Sequence, residues 1–185
     1  HTRWLTGWLH NLLLKLTRVC RDQTMHGFVV ARSLLSPAKD LQPVMDEYAQ
    51  VLDRVAQRLH HNGGISSTFA NLPFLQRGVI EAQPFDISLL TPETEFHFGP
   101  AVLALLTSDR LLDGVESLIG PEITSNPAQH VRIKPPEHLL RKNPPLSLSR
   151  TGWHQDNGVV DPVANDTNML TVWLPLTEAT ERNGC

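Results

Sequence analysis

A long helix with a recognisable signal at each end is the feature that most limits the folds open to this chain. Apolar residues recur every three to four positions over residues 38–60, which is the period of one helical face. Ser36 and Pro37 before them are typical of an N-cap and a first helical position. Gly63-Gly64 after them predicts a C-terminal cap. We therefore expect an amphipathic helix whose buried face is formed by Leu41, Val44, Met45, Tyr48, Val51, Leu52, Val55 and Leu59.

The remaining patterns change from helical to strand-like along the chain. Residues 27–35 indicate a short β-rich run, and residues 101–118 predict a second helix that Gly120-Pro121 closes. Residues 130–134 alternate like a strand, and residues 168–175 have the β-branched and aromatic content of the best strand in the chain. This order, with helices first and strands later, favours an α+β fold.

The chain length, the net charge and the cysteines limit the classes of protein to which this chain can belong. At 185 residues the chain can form one domain with its own core. A formal charge of -3 argues against a nucleic-acid partner, which usually requires a basic excess. Cys20 and Cys185 lie near opposite ends and give no disulfide framework, which fits a reducing compartment. We expect a cytoplasmic protein.

The most apolar stretch lies at the start of the chain. Residues 4–20 are interrupted by polar and charged side chains and fall short of the roughly 20 apolar residues that a membrane-spanning helix needs. We expect no membrane span and an amphipathic helix over residues 1–21, with a secretion signal as the alternative. Because the chain begins with histidine and ends just after turn-like residues, we also expect it to be a piece of a longer protein.

His154 and Asp156, in the stretch "WHQDNG", are the candidate metal ligands. Side chains two positions apart in an extended segment point to the same face, so both can reach one ion. An imidazole and a carboxylate suit a divalent first-row metal, and a second histidine would complete the facial triad of non-haem Fe(II) oxygenases. The same tripeptide also occurs by chance in polar turns, so both interpretations stay open on local pattern alone.

An ordered series of motifs resembles the phytanoyl-CoA dioxygenase family of Fe(II)/2-oxoglutarate-dependent oxygenases. The motifs are "GFVVARSLLSPAKDLQPVMDE", "LLDGVESLIGPEI", "KPP", "WHQDNG" and "TVWLPLTEATERNGC". The resemblance covers residues 22–185 and implies a single dioxygenase domain, of which the chain holds the N-terminal and central part. The implied fold is α+β, with N-terminal helices packed on part of a double-stranded β-helix (a cupin-like jelly roll) that is incomplete at the C-terminus.

The resemblance also implies the site residues. His154 and Asp156 would be two of the three iron ligands. Trp173 would line the 2-oxoglutarate pocket, although its chemistry alone is equally typical of a core aromatic. Further co-substrate contacts would come from the preceding strand, whose residues could otherwise form a solvent-facing edge: His130, Arg132 and Lys134.

The implied activity is hydroxylation of an unactivated C–H bond in a small organic or lipid-like substrate. Fe(II) would be the cofactor, 2-oxoglutarate and O₂ the co-substrates, and succinate a product. Asp156 stands where halogenating relatives have a small residue, which favours hydroxylation. The alternatives are another oxidation on the same scaffold, such as desaturation or epimerisation, and a non-catalytic jelly-roll binding module with a vestigial metal site.

Two expected residues of the family have no match in this sequence. The third iron ligand, a histidine, and the arginine that anchors 2-oxoglutarate would follow Cys185. The other histidines all precede His154, and His97 is interpreted as a residue at a local helix start. We therefore expect the sequence as given to bind iron poorly and to be inactive by itself.

Overall fold

The computed structural model describes residues 27–72, 97–126, 129–131, 152, 154–159, 161–162 and 166–180. This part of the chain contains three α-helices: α1 (Gln42–His61), α2 (Pro100–Leu106) and α3 (Asp109–Ile119). A π-helical turn, Pro37–Leu41, leads into α1, and a 3-10 turn covers Asp156–Val159. No β-strand is assigned within these ranges, so the jelly roll stays a prediction. The helix expected over residues 1–21 lies outside the described residues.

Ser36 is the N-cap of the helical segment that continues into α1, as the sequence predicts. Its hydroxyl accepts a hydrogen bond from the backbone N–H of Lys39 at 3.4 Å, and its own N–H donates to Oδ2 of Asp40 at 2.6 Å. Pro37 takes the first helical position, where the missing N–H costs no helical hydrogen bond. Local residues therefore determine where the helical segment begins.

The end of α1 is a Schellman motif, which confirms the cap predicted from the two glycines. Gly63 has φ +71°, and its N–H donates to the carbonyl of His60 at 3.1 Å. The N–H of Gly64 donates to the carbonyl of Leu59 at 2.8 Å, so two carbonyls of the last turn are satisfied. His60 and His61 lie in this last turn, where a histidine complements the helix dipole.

The single helix predicted over residues 101–118 is wrong, because Thr107 and Ser108 divide it into α2 and α3. Ser108 has β-region backbone (φ -69°, ψ 137°) and is the N-cap of α3. The Thr107 hydroxyl donates to the carbonyl of Leu103, and the Ser108 hydroxyl donates to the carbonyl of Leu105, both at 2.8 Å. Both side chains thus add a hydrogen bond to carbonyls in the last turn of α2, which also accept the backbone N–H groups of Thr107 and Ser108.

The β-rich run expected over residues 27–35 is also not a strand. The chain turns at Arg32 and Ser33, and Ser33 has φ +58°. Leu34 then packs against α3, where a Cβ added to Gly114 would lie 3.1 Å from Cδ2 of Leu34. The segment therefore connects to the helices by side-chain packing rather than by a backbone ladder.

The core forms where the buried face of α1 meets α2. Val44 and Tyr48 of α1 pack with Val102 and Leu105 of α2 in one buried cluster. The remaining buried residues of α1 continue the same face towards its C-terminal end: Val51, Leu52, Val55, Ala56 and Leu59. The predicted face is confirmed except at its N-terminal edge, where Leu41 and Met45 are half-buried. Among the described residues, no helix combines the length and apolar character needed to cross a membrane.

Segments from the later part of the chain pack on this helical core. Val131, Leu174 and Leu176 are partly buried against the cluster of α1 and α2. Leu174 and Leu176 are half-buried while Pro175 between them is exposed. The strand predicted over residues 168–175 is not assigned in the structure, where this segment is irregular. The segment that follows Thr171 and Trp173 is therefore in contact with the helical core.

Candidate metal site

The side chains of His154 and Asp156 meet at the start of a 3-10 turn, whereas an extended segment was expected from the sequence. Nε2 of His154 lies 3.0 Å from Oδ1 of Asp156. Asp156 begins the 3-10 turn, in which the N–H of Gly158 donates to the carbonyl of Gln155 at 3.0 Å. Gln155, between the two residues, is exposed. A short turn thus positions a carboxylate beside an imidazole.

The second ring nitrogen of His154 determines where the imidazole carries its hydrogen. Nδ1 lies 2.8 Å from the carbonyl oxygen of Gly152. Since a carbonyl oxygen only accepts, we assign the hydrogen to Nδ1, and a neutral ring then has its lone pair on Nε2. That lone pair would face a carboxylate oxygen at 3.0 Å and be repelled by it. A positive charge between the two atoms, either a proton on Nε2 or a metal ion, removes the repulsion.

The spacing of these two donor atoms fits a metal ion. Metal–nitrogen and metal–oxygen bonds of about 2.1 Å at a right angle place their donor atoms about 3 Å apart. The side chains of His154 and Asp156 are 52% and 45% exposed, which leaves room for an ion and further ligands to approach. Within the described residues no third His, Cys, Asp or Glu joins them. The pair supplies two donors, and metal ligation by it stays a prediction.

Thr171 gives Asp156 a second, different partner. Its hydroxyl donates to Oδ2 of Asp156 at 2.5 Å, although the two residues are 15 positions apart. Oδ1 faces His154, so the two carboxylate oxygens have distinct environments. In the sequence Thr171 is only one of the β-branched residues of a predicted strand, and nothing there connects it with Asp156. Sequence reasoning therefore missed this residue.

The other predicted site residues are not joined to the pair by the contacts described above. Trp173 lies two positions after Thr171 and is 68% exposed, so it is not packed in the helical core. His130 is exposed beside Val131, which packs on that core. Arg132 and Lys134 lie outside the described residues. The co-substrate roles of these four residues stay predictions.

A second polar cluster lies where α1 passes the start of α2. Oε1 of Glu47 is 2.8 Å from Nε2 of His97, and Oε2 accepts a hydrogen bond from the N–H of Ala101 at 2.7 Å. The Tyr48 hydroxyl donates to the carbonyl of His97 at 3.2 Å, and the two rings meet edge to face. Glu47 thus caps the N-terminus of α2, where the helix dipole favours an anion.

His97 makes a contact that its position before α2 does not predict. It does lie close to the start of that helix, since Gly99 is the N-cap. Its ring, however, contacts Glu47, which lies 50 positions earlier in the chain. The contact links α1 to the residues that lead into α2, and the sequence gives no signal for it.

Opposing effects act on the pKa of Glu47. Partial burial raises it, but hydrogen bonds from the N–H groups of Ala101 and Val102 and the nearby His97 ring outweigh burial. The pKa of Glu47 therefore lies below its ordinary value of 4.5. Burial, followed by the charge of Glu47, raises the pKa of the Tyr48 hydroxyl above its usual range. Glu47 is thus charged and Tyr48 neutral near pH 7, as a structural cap requires.

Comparison with known families decides the classification. The family model described as phytanoyl-CoA dioxygenase (PhyH) matches residues 24–185. The chain belongs to the phytanoyl-CoA dioxygenase family. PhyH membership confirms the resemblance of the ordered motifs and places the chain in the superfamily of Fe(II)/2-oxoglutarate-dependent oxygenases. Neither the curated proteins nor the solved structures contain a match to this chain.

Proposed function

We propose that this PhyH-family protein is an Fe(II)- and 2-oxoglutarate-dependent dioxygenase that hydroxylates an unactivated C–H bond of a small organic or lipid-like substrate. The 3.0 Å contact between Nε2 of His154 and Oδ1 of Asp156 carries the proposal, because the two donors are spaced as adjacent ligands of one divalent ion. Membership of the PhyH family supports the choice of iron and 2-oxoglutarate.

His154 and Asp156 would hold the iron through Nε2 and Oδ1. The carbonyl of Gly152 keeps the hydrogen on Nδ1, so that Nε2 is free to bind the ion. A neutral imidazole and one carboxylate leave a net positive charge on a divalent ion, which attracts the dianion of 2-oxoglutarate. Bound there, Fe(II) would couple the conversion of 2-oxoglutarate and O₂ into succinate and CO₂ to the insertion of one oxygen atom into a C–H bond.

Four further residues have proposed roles in binding the co-substrate. Trp173 would line the 2-oxoglutarate pocket, which its position two residues after Thr171 supports. His130, Arg132 and Lys134 would contact the co-substrate, since cations suit its carboxylates. The scaffold would be a jelly roll with helices outside it, and the packing of Leu174 and Leu176 on the helical core supports this arrangement.

A non-catalytic jelly-roll module with a vestigial metal site is the second candidate function. One observation favours it: His154 and Asp156 contact each other directly at 3.0 Å, and among the described residues no third His, Cys, Asp or Glu joins them. Desaturation and epimerisation would use the same two ligands as hydroxylation. Product analysis separates these oxidations from one another, whereas metal binding separates all of them from the module.

The test is succinate formation by the full-length protein supplied with 2-oxoglutarate and a panel of small organic and lipid-like compounds. We expect succinate only when Fe(II) and O₂ are both present, and none from Asp156→Ala. Asp166→Ala is the matched control, because it removes an exposed carboxylate from the same part of the chain. Succinate formation by Asp156→Ala at the wild-type rate contradicts the ligand assignment. A wild-type protein that binds no Fe(II) and forms no succinate with any compound favours the binding module.

A further inference from the structure

We propose that Thr171 is a positioning residue for Asp156: its hydroxyl occupies Oδ2 and leaves Oδ1 as the oxygen that binds the metal. The observation is the 2.5 Å hydrogen bond from Oγ1 of Thr171 to Oδ2, together with the 3.0 Å approach of Oδ1 to Nε2 of His154. The inference rests on the proposed function, since it requires Asp156 to be a ligand.

A carboxylate on an exposed turn needs such a partner. The Asp156 side chain is 45% exposed, and without a fixed hydrogen bond it would rotate and present either oxygen, or both, to an ion. A hydroxyl that donates to a charged carboxylate forms a short, strong hydrogen bond, for which about 2.5–2.7 Å is typical. The Thr171 contact has this length, so it distinguishes two oxygens that are otherwise equivalent.

Thr171 can act as a support because its own segment is anchored. Leu174 and Leu176, a few residues further on, are packed on the cluster formed by α1 and α2. Thr171 therefore reaches Asp156 from a segment that packs on the helical core three residues further on. A hydrogen-bonding partner that orients a ligand side chain in this way is typical of metal sites.

His154 is supported in a corresponding way. Its Nδ1 donates to the carbonyl of Gly152, which leaves Nε2 for the metal. Each of the two proposed ligands is thus held through the atom that does not bind the ion. Partners of this kind typically contribute about 10- to 100-fold to metal affinity, and Thr171 should fall in this range.

The experiment compares metal binding by variants that differ at the hydroxyl. The full-length protein is titrated with Mn(II), an air-stable substitute for Fe(II), and the free ion is followed by its electron paramagnetic resonance signal. Thr171→Val removes the hydroxyl and keeps the shape, and we expect it to weaken Mn(II) binding about 10- to 100-fold. Thr171→Ser keeps the hydroxyl and should restore most of the affinity. Thr177→Val, an exposed threonine on the same segment, should bind as the wild type does.

The outcomes separate this inference from the proposed function. If Asp156→Ala loses Mn(II) while Thr171→Val and Thr171→Ala bind it as tightly as the wild type, the role of Thr171 is wrong and the ligand assignment stands. If Asp156→Ala binds as the wild type does, both are wrong. Thermal unfolding of each variant is measured alongside, and a loss of affinity in Thr171→Val without a change in melting temperature, reversed by serine, supports a positioning role.

Discussion

Glu47 and His97 meet side by side although 50 positions separate them, with Oε1 of Glu47 2.8 Å from Nε2 of His97. The other oxygen of the same carboxylate caps α2 through the N–H of Ala101. One side chain of α1 therefore holds both the start of α2 and the residue that leads into it. The apolar cluster on which Leu174 and Leu176 pack lies beside this contact, since Tyr48 belongs to the cluster and its hydroxyl donates to the carbonyl of His97.

Replacing Glu47 with glutamine should lower the free energy of unfolding by about 1–2 kcal/mol, because it removes an anion from a helix N-terminus and weakens two hydrogen bonds. The Glu47 side chain is only 16% exposed, so water compensates little. Urea denaturation measures the change. Glu116→Gln is the matched control on an exposed face of α3 and should change stability by less than about 0.5 kcal/mol. Equal values for the two variants would show that Glu47 does not stabilise α2.

Acid should remove the contribution of Glu47. Because its pKa is lower in the folded protein than in the unfolded chain, the unfolded state binds more protons between the two pKa values, and stability rises with pH there. The contribution is complete above the ordinary pKa of 4.5 and is lost as pH falls through the folded value. We expect the stability difference between wild type and Glu47→Gln to shrink from pH 5 to pH 3. A difference that stays constant over this range contradicts the lowered pKa.

Gly99→Ala should destabilise the protein by about 1–3 kcal/mol through overpacking. A Cβ at this position would collide with Oε1 of Glu47 and lie 2.6 Å from Nε2 of His97. In a Glu47→Ala background the penalty should be smaller, since the obstructing carboxylate is absent and His97 can move. Gly158→Ala serves as the control, because a Cβ there meets no atom within 4 Å. Additive effects of Glu47→Ala and Gly99→Ala would exclude the predicted collision.

Leu52→Ala should lower the free energy of unfolding by about 2–5 kcal/mol, because it leaves a cavity on the buried face of α1. Leu52 is 2% exposed. Leu103→Ala removes the same atoms from α2 at a position that is 48% exposed and should cost much less. Similar losses for both variants would contradict the assignment of the buried face.

The features that the sequence predicted correctly depend on neighbours in the chain. Ser36, Gly63 and Gly64 end or begin a helix through bonds to residues a few positions away, and the buried face of α1 follows from its period. The break at Thr107 escaped prediction because apolar residues continue on both sides of it. The Ser108-Asp109 start signal was present but was obscured by that periodicity.

Contacts between segments that lie far apart in the chain could not be predicted from the sequence pattern. His154 and Asp156 could be proposed as a pair because they lie only two positions apart in the chain. Thr171 is 15 positions from Asp156, and His97 is 50 positions from Glu47. These two contacts depend on how Leu174, Val102 and their neighbours pack. Such packing between distant segments produces no periodic pattern in the sequence.

The most direct test of the central claim is the visible absorption of the full-length protein mixed with Fe(II) and 2-oxoglutarate in the absence of O₂. Chelation of a protein-bound Fe(II) by 2-oxoglutarate gives a weak charge-transfer band. We predict this band for the wild type and for Asp166→Ala, and its loss in His154→Ala and in Asp156→Ala. A band of unchanged intensity in either of the last two variants would contradict the assignment of His154 and Asp156 as iron ligands.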